Sequence, residues 1–216
     1  MHLRNKLTLI ALPLLLLNMG VLTAQEGGGE DTPFDPQIRT NQRAMGDQTF
    51  AITMGLYFPL FTVLTNDWPE YGYEAGTYKT KLSMGGTGGL AYSFYVSERI
   101  KVGLQVAGSF AKDINGNFAY TIPIDVKGSY EFHPWNRITI PLHLAVGIAM
   151  TSWKQDNFYV DPIIRPGFGV YFDWNFEWSF GMDTTWWFIP QIGVDDKSQR
   201  SIGNFMDLTL TAEYHF

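Results

Sequence analysis

Residues 100–110 read IKVGLQVAGSF. Ile100, Val102, Leu104, Val106, Gly108 and Phe110 alternate with Lys101, Gly103, Gln105, Ala107 and Ser109. A strict period of two is the mark of a strand with two unlike faces. The same alternation recurs on both sides. It is clear at 118–132, at 138–150 and at 206–216, and noisier at 50–58, 82–96, 158–172 and 176–188. Eight segments of this kind in one chain predict an all-β fold.

The two phases differ in chemistry. The apolar phase carries no Asp, Glu, Lys or Arg in any of the eight segments. The interleaved phase is mostly Gly, Ala, Ser and Thr, and holds Lys101, Asp125, Lys127, Glu131, Asp161, Arg165, Glu177, Asp183, Asp207 and Glu213, with Arg137 beside them. A soluble barrel turns its apolar face inward and shows water a densely polar surface. Here the polar phase is too poor in charge for that surface and suits a narrow filled lumen. The apolar phase is continuous, with large aromatics near the segment ends, as a lipid-facing wall with interfacial girdles requires. Segments of about ten residues match tilted membrane strands. Connections alternate between tight turns (97–99, 133–136, 173–175) and longer loops (59–80, 111–117, 151–157, 189–204). The sequence therefore predicts an eight-stranded antiparallel up-and-down transmembrane β-barrel over residues 48–216, with both mature termini on the short-turn, periplasmic side and the longer loops outside.

A processing segment precedes it. Arg4 and Lys6 form a basic start, 7–17 is an apolar run, and Thr23-Ala24 supplies small residues for cleavage, which predicts a cleaved signal peptide at 1–24. The run is too short to span a membrane as a helix. Residues 25–47 hold Gly27-Gly28-Gly29, Pro33 and Pro36 without periodicity, and read as a flexible periplasmic tail.

Composition narrows the partners. The net charge of −6 over 216 residues argues against nucleic acid. The absence of cysteine excludes disulfides and thiolate metal sites, and nothing calls for a cofactor or a metal.

The chain ends Leu208-Thr-Leu210-Thr-Ala212-Glu-Tyr214-His-Phe216. A terminal Phe with an aromatic two residues before it resembles the signal read by the bacterial barrel-assembly machinery, so Tyr214 and Phe216 are its candidate residues. With an export signal and eight strands, the chain resembles the small outer-membrane barrels of the OmpW, OmpX and OmpA-domain kind, which Gram-negative bacteria and spirochaetes both carry. The resemblance lies in architecture and terminal signal, over 48–216. It implies an integral outer-membrane location.

Other motifs carry less. Gly85-Gly86-Thr87-Gly88-Gly89 lacks the Lys-Ser/Thr pair of a phosphate loop and lies inside a strand, where glycine permits close packing. His133, His143 and His215 stand at no recognisable spacing from Ser129 or Ser179, so no catalytic residue is assigned. Pro162 and Pro166 remove ladder donors and imply a bulge or an unpaired donor in their strand. Loop one is aromatic and acidic (Trp68, Glu70, Tyr71, Tyr73, Glu74, Tyr78), and loop four carries Asp195, Asp196, Lys197 and Arg200. Their aromatics serve either as binding anchors or as packing at the mouth and lipid interface.

Two functions follow. Lumen charges next to small residues on segments one, two and five would leave a narrow passage or a carrier site for small solutes, as an OmpW-like resemblance implies. Alternatively the charges pair into a plug, and a sealed barrel displays loops for adhesion or host ligands, as an OmpX-like or OmpA-like resemblance implies. The expected partners are outer-membrane lipid, the assembly machinery and either solutes or host factors. The passage is the first expectation.

Overall fold

The computed structural model describes residues 43–67, 72–153, 157–191 and 200–216. The predicted signal peptide and the tail up to residue 42 lie outside them, as do Trp68, Glu70 and Tyr71 of loop one and Asp195, Asp196 and Lys197 of loop four.

The strands are β1 (Gln48–Leu64), β2 (Gly76–Lys79), β3 (Gly85–Ser97), β4 (Ile100–Lys112), β5 (Phe118–Trp135), β6 (Ile138–Trp153), β7 (Asn157–Asp173), β8 (Trp178–Gln191) and β9 (Ser201–His215). All neighbours are antiparallel, and β1 also pairs β9, from Thr49↔His215 to Leu64↔Ser201. That pairing closes β1 and β3–β9 into an eight-stranded barrel without an open edge. β2 is a ninth, short strand on the upper part of β1.

Burial follows the two phases. Lys101, Gln105, Ala107, Ser109 and Ala111 are buried, and Ile100, Leu104, Val106 and Phe110 are exposed on the outside. The apolar phase therefore forms the outer wall. Its middle is aliphatic (Met54, Leu104, Ile124, Leu144, Leu210). Aromatics ring the short-turn end, where Trp178 meets Tyr214 (centroids 5.0 Å) and Tyr130 meets Phe132 (4.8 Å). A second ring at the loop end includes Phe110, Phe118, Phe61 and Trp186.

Strands run longer than expected. β5 has 18 residues and β1 has 17, where about 9–11 span the hydrocarbon. β5 gains its surplus at the short-turn end, whereas β1, β6 and β7 extend at the loop end, so that 154–156 separate β6 from β7 where a seven-residue loop was expected. β1 continues past Pro59 because the register against β9 shifts between Pro59 and Phe61. The extra residue takes up the missing donor as a bulge and breaks the alternation that would have shown the strand continuing.

Of the two effects expected of the β7 prolines, the bulge is absent. Pro162 faces Ile148 and Pro166 faces Leu144 in an unshifted register with β6, so no bulge forms there. The irregularity lies on the other edge. Pairing of β7 with β8 lapses between Gly167↔Thr185 and Ile164↔Phe188 and does not resume above Ile164. Continuing that register sets Pro162 opposite Pro190, and neither has an N–H to give.

The expected tail gives way to ordered chain before Gln48. Ala44 N–H donates to Asp47 Oδ2 (2.8 Å), and Gly46 N–H donates to Tyr95 O (2.8 Å). Gly46 takes φ +98°, a conformation that favours glycine, so the chain turns back onto the short-turn mouth.

Candidate functional site

The lumen is the candidate site, because the barrel aims its polar side chains there. At the short-turn mouth Arg43 is buried. Its Nη1 donates to Phe176 O (2.9 Å), and its guanidinium lies 5.4 Å from the Phe176 ring centroid. Deeper, Lys101 of β4 reaches Glu131 of β5 (3.1 Å) and Glu213 of β9. Glu131 also accepts from Tyr95 Oη (3.0 and 3.1 Å), and His133 Nε2 lies 3.7 Å from it.

In the middle of the barrel Arg165 of β7 spans the lumen. Nη1 is 2.8 Å from Asp125 of β5 and Nη2 is 3.6 Å from Asp207 of β9. Trp187 Nε1 donates to the same Asp207 carboxylate (2.7 Å), and the Arg165 guanidinium stands 4.3 Å over the Trp187 ring. Asp183 accepts from Tyr171 Oη (2.5 Å) and Thr211 Oγ1 (2.6 Å). Arg165 ties β7 to β5 and β9, and Lys101 ties β4 to β9, so ion pairs join non-adjacent strands, as desolvated charges must pair.

Towards the loop end the lumen turns apolar. Tyr57, Ala111, Ala149, Ile163, Trp187 and Ile189 form one buried cluster, with Leu82 and Phe205 packed against it. Tyr57 meets Trp187 edge-on at 5.1 Å and stacks on Phe205 at 5.3 Å. Trp187 and Ile163 are 0% exposed at the centre of this cluster.

Two small cavities lie among the described residues of the lumen. A cavity of about 20 Å³ lies among Arg43, Lys101, Glu131, Ser179 and His215, and one of about 10 Å³ among Lys127, Arg165, Asp183 and Asp207. Each is the size that holds a single water.

Of the charges predicted to line the lumen, Lys101, Asp125, Glu131, Asp161, Arg165, Asp183, Asp207 and Glu213 are buried, and Lys127 is half-buried. Glu177 is not in the lumen. It is exposed on the turn before β8, where Asn175 Oδ1 accepts from the N–H groups of Glu177 (2.9 Å) and Trp178 (2.7 Å). That side-chain turn starts the strand two residues later than the alternation suggested. Arg137 is likewise exposed on its turn. Tyr214 and Phe216 stack 5.8 Å apart in the outer girdle, and the Phe216 backbone pairs with Gln48 at the closing seam. Tyr73 packs edge-on against Tyr78 (5.2 Å) at the loop end.

The site also contains residues that sequence reasoning did not assign. Tyr57, Tyr95, Tyr171 and Trp187 occupy the polar phase, and their bulk in a face of small residues was the available signal. Arg43, in a segment without periodicity, gave none. Ser179 Oγ donates to Asp173 Oδ1 (2.6 Å) and lies 2.8 Å from His215 Nε2. The carboxylate therefore holds the serine, whereas a hydrolase uses it to orient the histidine. Among the described residues no group of three His, Cys, Asp or Glu is placed to hold a metal ion.

A protein-family model matches residues 29–214. A Borreliella burgdorferi protein is 24% identical over 171 residues, covering 70% of this chain and 76% of its own. A Treponema pallidum protein is 26% identical over 136 residues, covering 63% of this chain and 61% of its own. Among solved structures, Neisserial surface protein A superposes with TM-score 0.56 at 10% identity, covering 79% of this chain and 97% of that one. OprG, an outer membrane protein of Pseudomonas aeruginosa, gives 0.54 at 11% identity, with 82% and 99% covered. At these identities the likeness is one of fold, and the fold is the small outer-membrane barrel.

Proposed function

The chain belongs to the family matched over residues 29–214 and is built as a small eight-stranded outer-membrane barrel, and from that premise we propose that it is a sealed barrel whose function lies on its outer surface and loops. It resides in the outer membrane with the short turns and mature termini in the periplasm and the loops outside. The barrel-assembly machinery inserts it through the terminal pattern of Tyr214 and Phe216. Its loops present the binding surface for host or environmental ligands.

The observation that carries this reading is the filled lumen. Arg165, Asp125, Asp207 and Trp187 join opposite walls, and the apolar cluster around Tyr57, Trp187 and Phe205 lies above them. An eight-stranded barrel is just wide enough for its own side chains, and here they occupy it. The narrow passage, first choice on the sequence, requires a wet path along the small-residue wall. Between Thr53 and Thr87 of that wall and Lys127, Arg165 and Asp183 across from it lies a cavity of about 10 Å³, which favours the sealed reading.

The test is a swelling assay on liposomes carrying the refolded protein, with heat-shifted gel mobility as proof of folding. A sealed barrel admits small sugars and amino acids no faster than protein-free liposomes do. Swelling in proportion to the amount of folded protein would replace this reading with the passage.

A further inference from the structure

The apolar outer wall changes character near the loop end, across β2, β3 and β4. Lys112 ends β4 in the outward phase, its ammonium 4.9 Å over the Phe118 ring. Ser83 donates to Lys112 O from both N–H (2.7 Å) and Oγ (3.0 Å), and Leu82 bridges Asp113. Ser83 thus stands opposite Lys112, and Lys81, two residues away, shares the outward side. Lys81 Nζ donates to Tyr73 Oη (3.4 Å), a neutral partner. Lys79 pairs in register with Phe61, whose ring packs on outward Trp186 (6.1 Å), so Lys79 also faces out. All three lysines are exposed, and among the described residues none is ion-paired with a carboxylate. The chain is acidic, so this cluster runs against its overall charge.

Directly below the lysines the wall is dented. Gly86 and Gly88 of β3 are outward positions, and Gly88 faces Gly108 of β4. A Cβ at Gly108 would meet nothing within 4 Å. Met54 faces Gly88 from β1, and Leu90, Val106 and Phe110 complete the surroundings. Met54 is 68% exposed, the most of the large hydrophobic side chains on β1, β3 and β4.

We infer that this ledge and dent bind one anionic phospholipid of the loop-side leaflet. The phosphate sits on Lys79, Lys81 and Lys112, and an acyl chain lies along Gly88 and Gly108, below the Phe110 ring that covers Gly86. Charge complementarity selects the headgroup, since ammonium groups at the end of an apolar belt lie at headgroup level. The dent gives the GGTGG run a use that a phosphate loop does not.

The probe is native mass spectrometry of the refolded barrel released from nanodiscs of equal phosphatidylglycerol and phosphatidylcholine. The wild type retains one phosphatidylglycerol with about tenfold preference over phosphatidylcholine. The K79Q/K81Q/K112Q variant loses that preference, and the matching Lys→Arg variant keeps it. G108L, which fills the dent, retains less of either lipid with the headgroup preference unchanged. Heat-shifted mobility verifies that each barrel is folded. Equal retention of both lipids by the wild type, an unchanged preference in the Lys→Gln variant, or unchanged retention in G108L overturns the assignment. So does a lipid-independent dimer that G108L dissolves, which would make the dent a contact between copies.

Discussion

Replacing Arg165 with Met tests the lumen network at its centre. The guanidinium is buried, lies 2.8 Å from Asp125 and 3.6 Å from Asp207, and covers Trp187 at 4.3 Å. Methionine fills much of the same volume, so the packing loss is small. What remains is two buried carboxylates without their cation. Breaking a buried pair from one side costs about 3–5 kcal/mol, and the lost cation–π contact adds about 1 kcal/mol. We expect a loss of about 4–5 kcal/mol, because Asp207 keeps the Trp187 donor. Combining R165M with D125N and D207N removes the stranded charge, and at least half of the stability returns. The assay is urea unfolding of the refolded protein in lipid, followed by tryptophan fluorescence and gel mobility. An R165M barrel within about 1 kcal/mol of wild type would refute the reasoning. Such a result would mean that water, not Arg165, stabilises those carboxylates, and that the lumen is wetter than its geometry indicates.

Three other outcomes are expected. Leu144 stands half exposed on the outer wall of β6, so L144R costs about 2–4 kcal/mol in the same unfolding assay if it lies near the bilayer midplane; a cost near zero would contradict the face assignment. The β8 amides aimed at β7 above Thr185 exchange hydrogen faster than those joining β6 to β7, because pairing lapses where Pro162, Pro166 and Pro190 lie; equal protection would contradict the weak seam. Deleting Phe216 lowers the amount of folded barrel in the outer membrane of cells, since its backbone pairs with Gln48 at closure and its ring belongs to the girdle; normal levels would remove Phe216 from the assembly signal.

The barrel was legible because lipid and lumen impose opposite chemistry on alternate residues. Leu104 and Val106 against Gln105 and Ala107 gave the faces of β4, and the same contrast placed Arg165 and Asp207 inside before any geometry was known. The reading stopped where local chemistry overrides the period. Pro59 looked like the end of β1, yet one bulged residue carries the strand to Leu64. Asn175 built a turn that moved Glu177 to the surface. The consequence of Pro162 and Pro166 lay between strands, in a register that sets Pro162 against Pro190, and one strand's sequence cannot show it. The same limit applies to the lumen. Spacing along the chain could name its charges, but whether Arg165 reaches Asp125 and Asp207 depends on how far the barrel brings non-adjacent strands together. Arg43 entered the site from a segment without periodicity, through a turn that Gly46 allows.

The central claim is that side chains close the lumen, and ion conductance across a planar bilayer tests it most directly. Folded protein in salt solution should give no steps above the bare-membrane current. Replacing Tyr57, Trp187 and Phe205 together with Ala, with folding verified by gel mobility, should open small steady currents. Unitary conductance from the wild type that is unchanged by those replacements would contradict the sealed barrel.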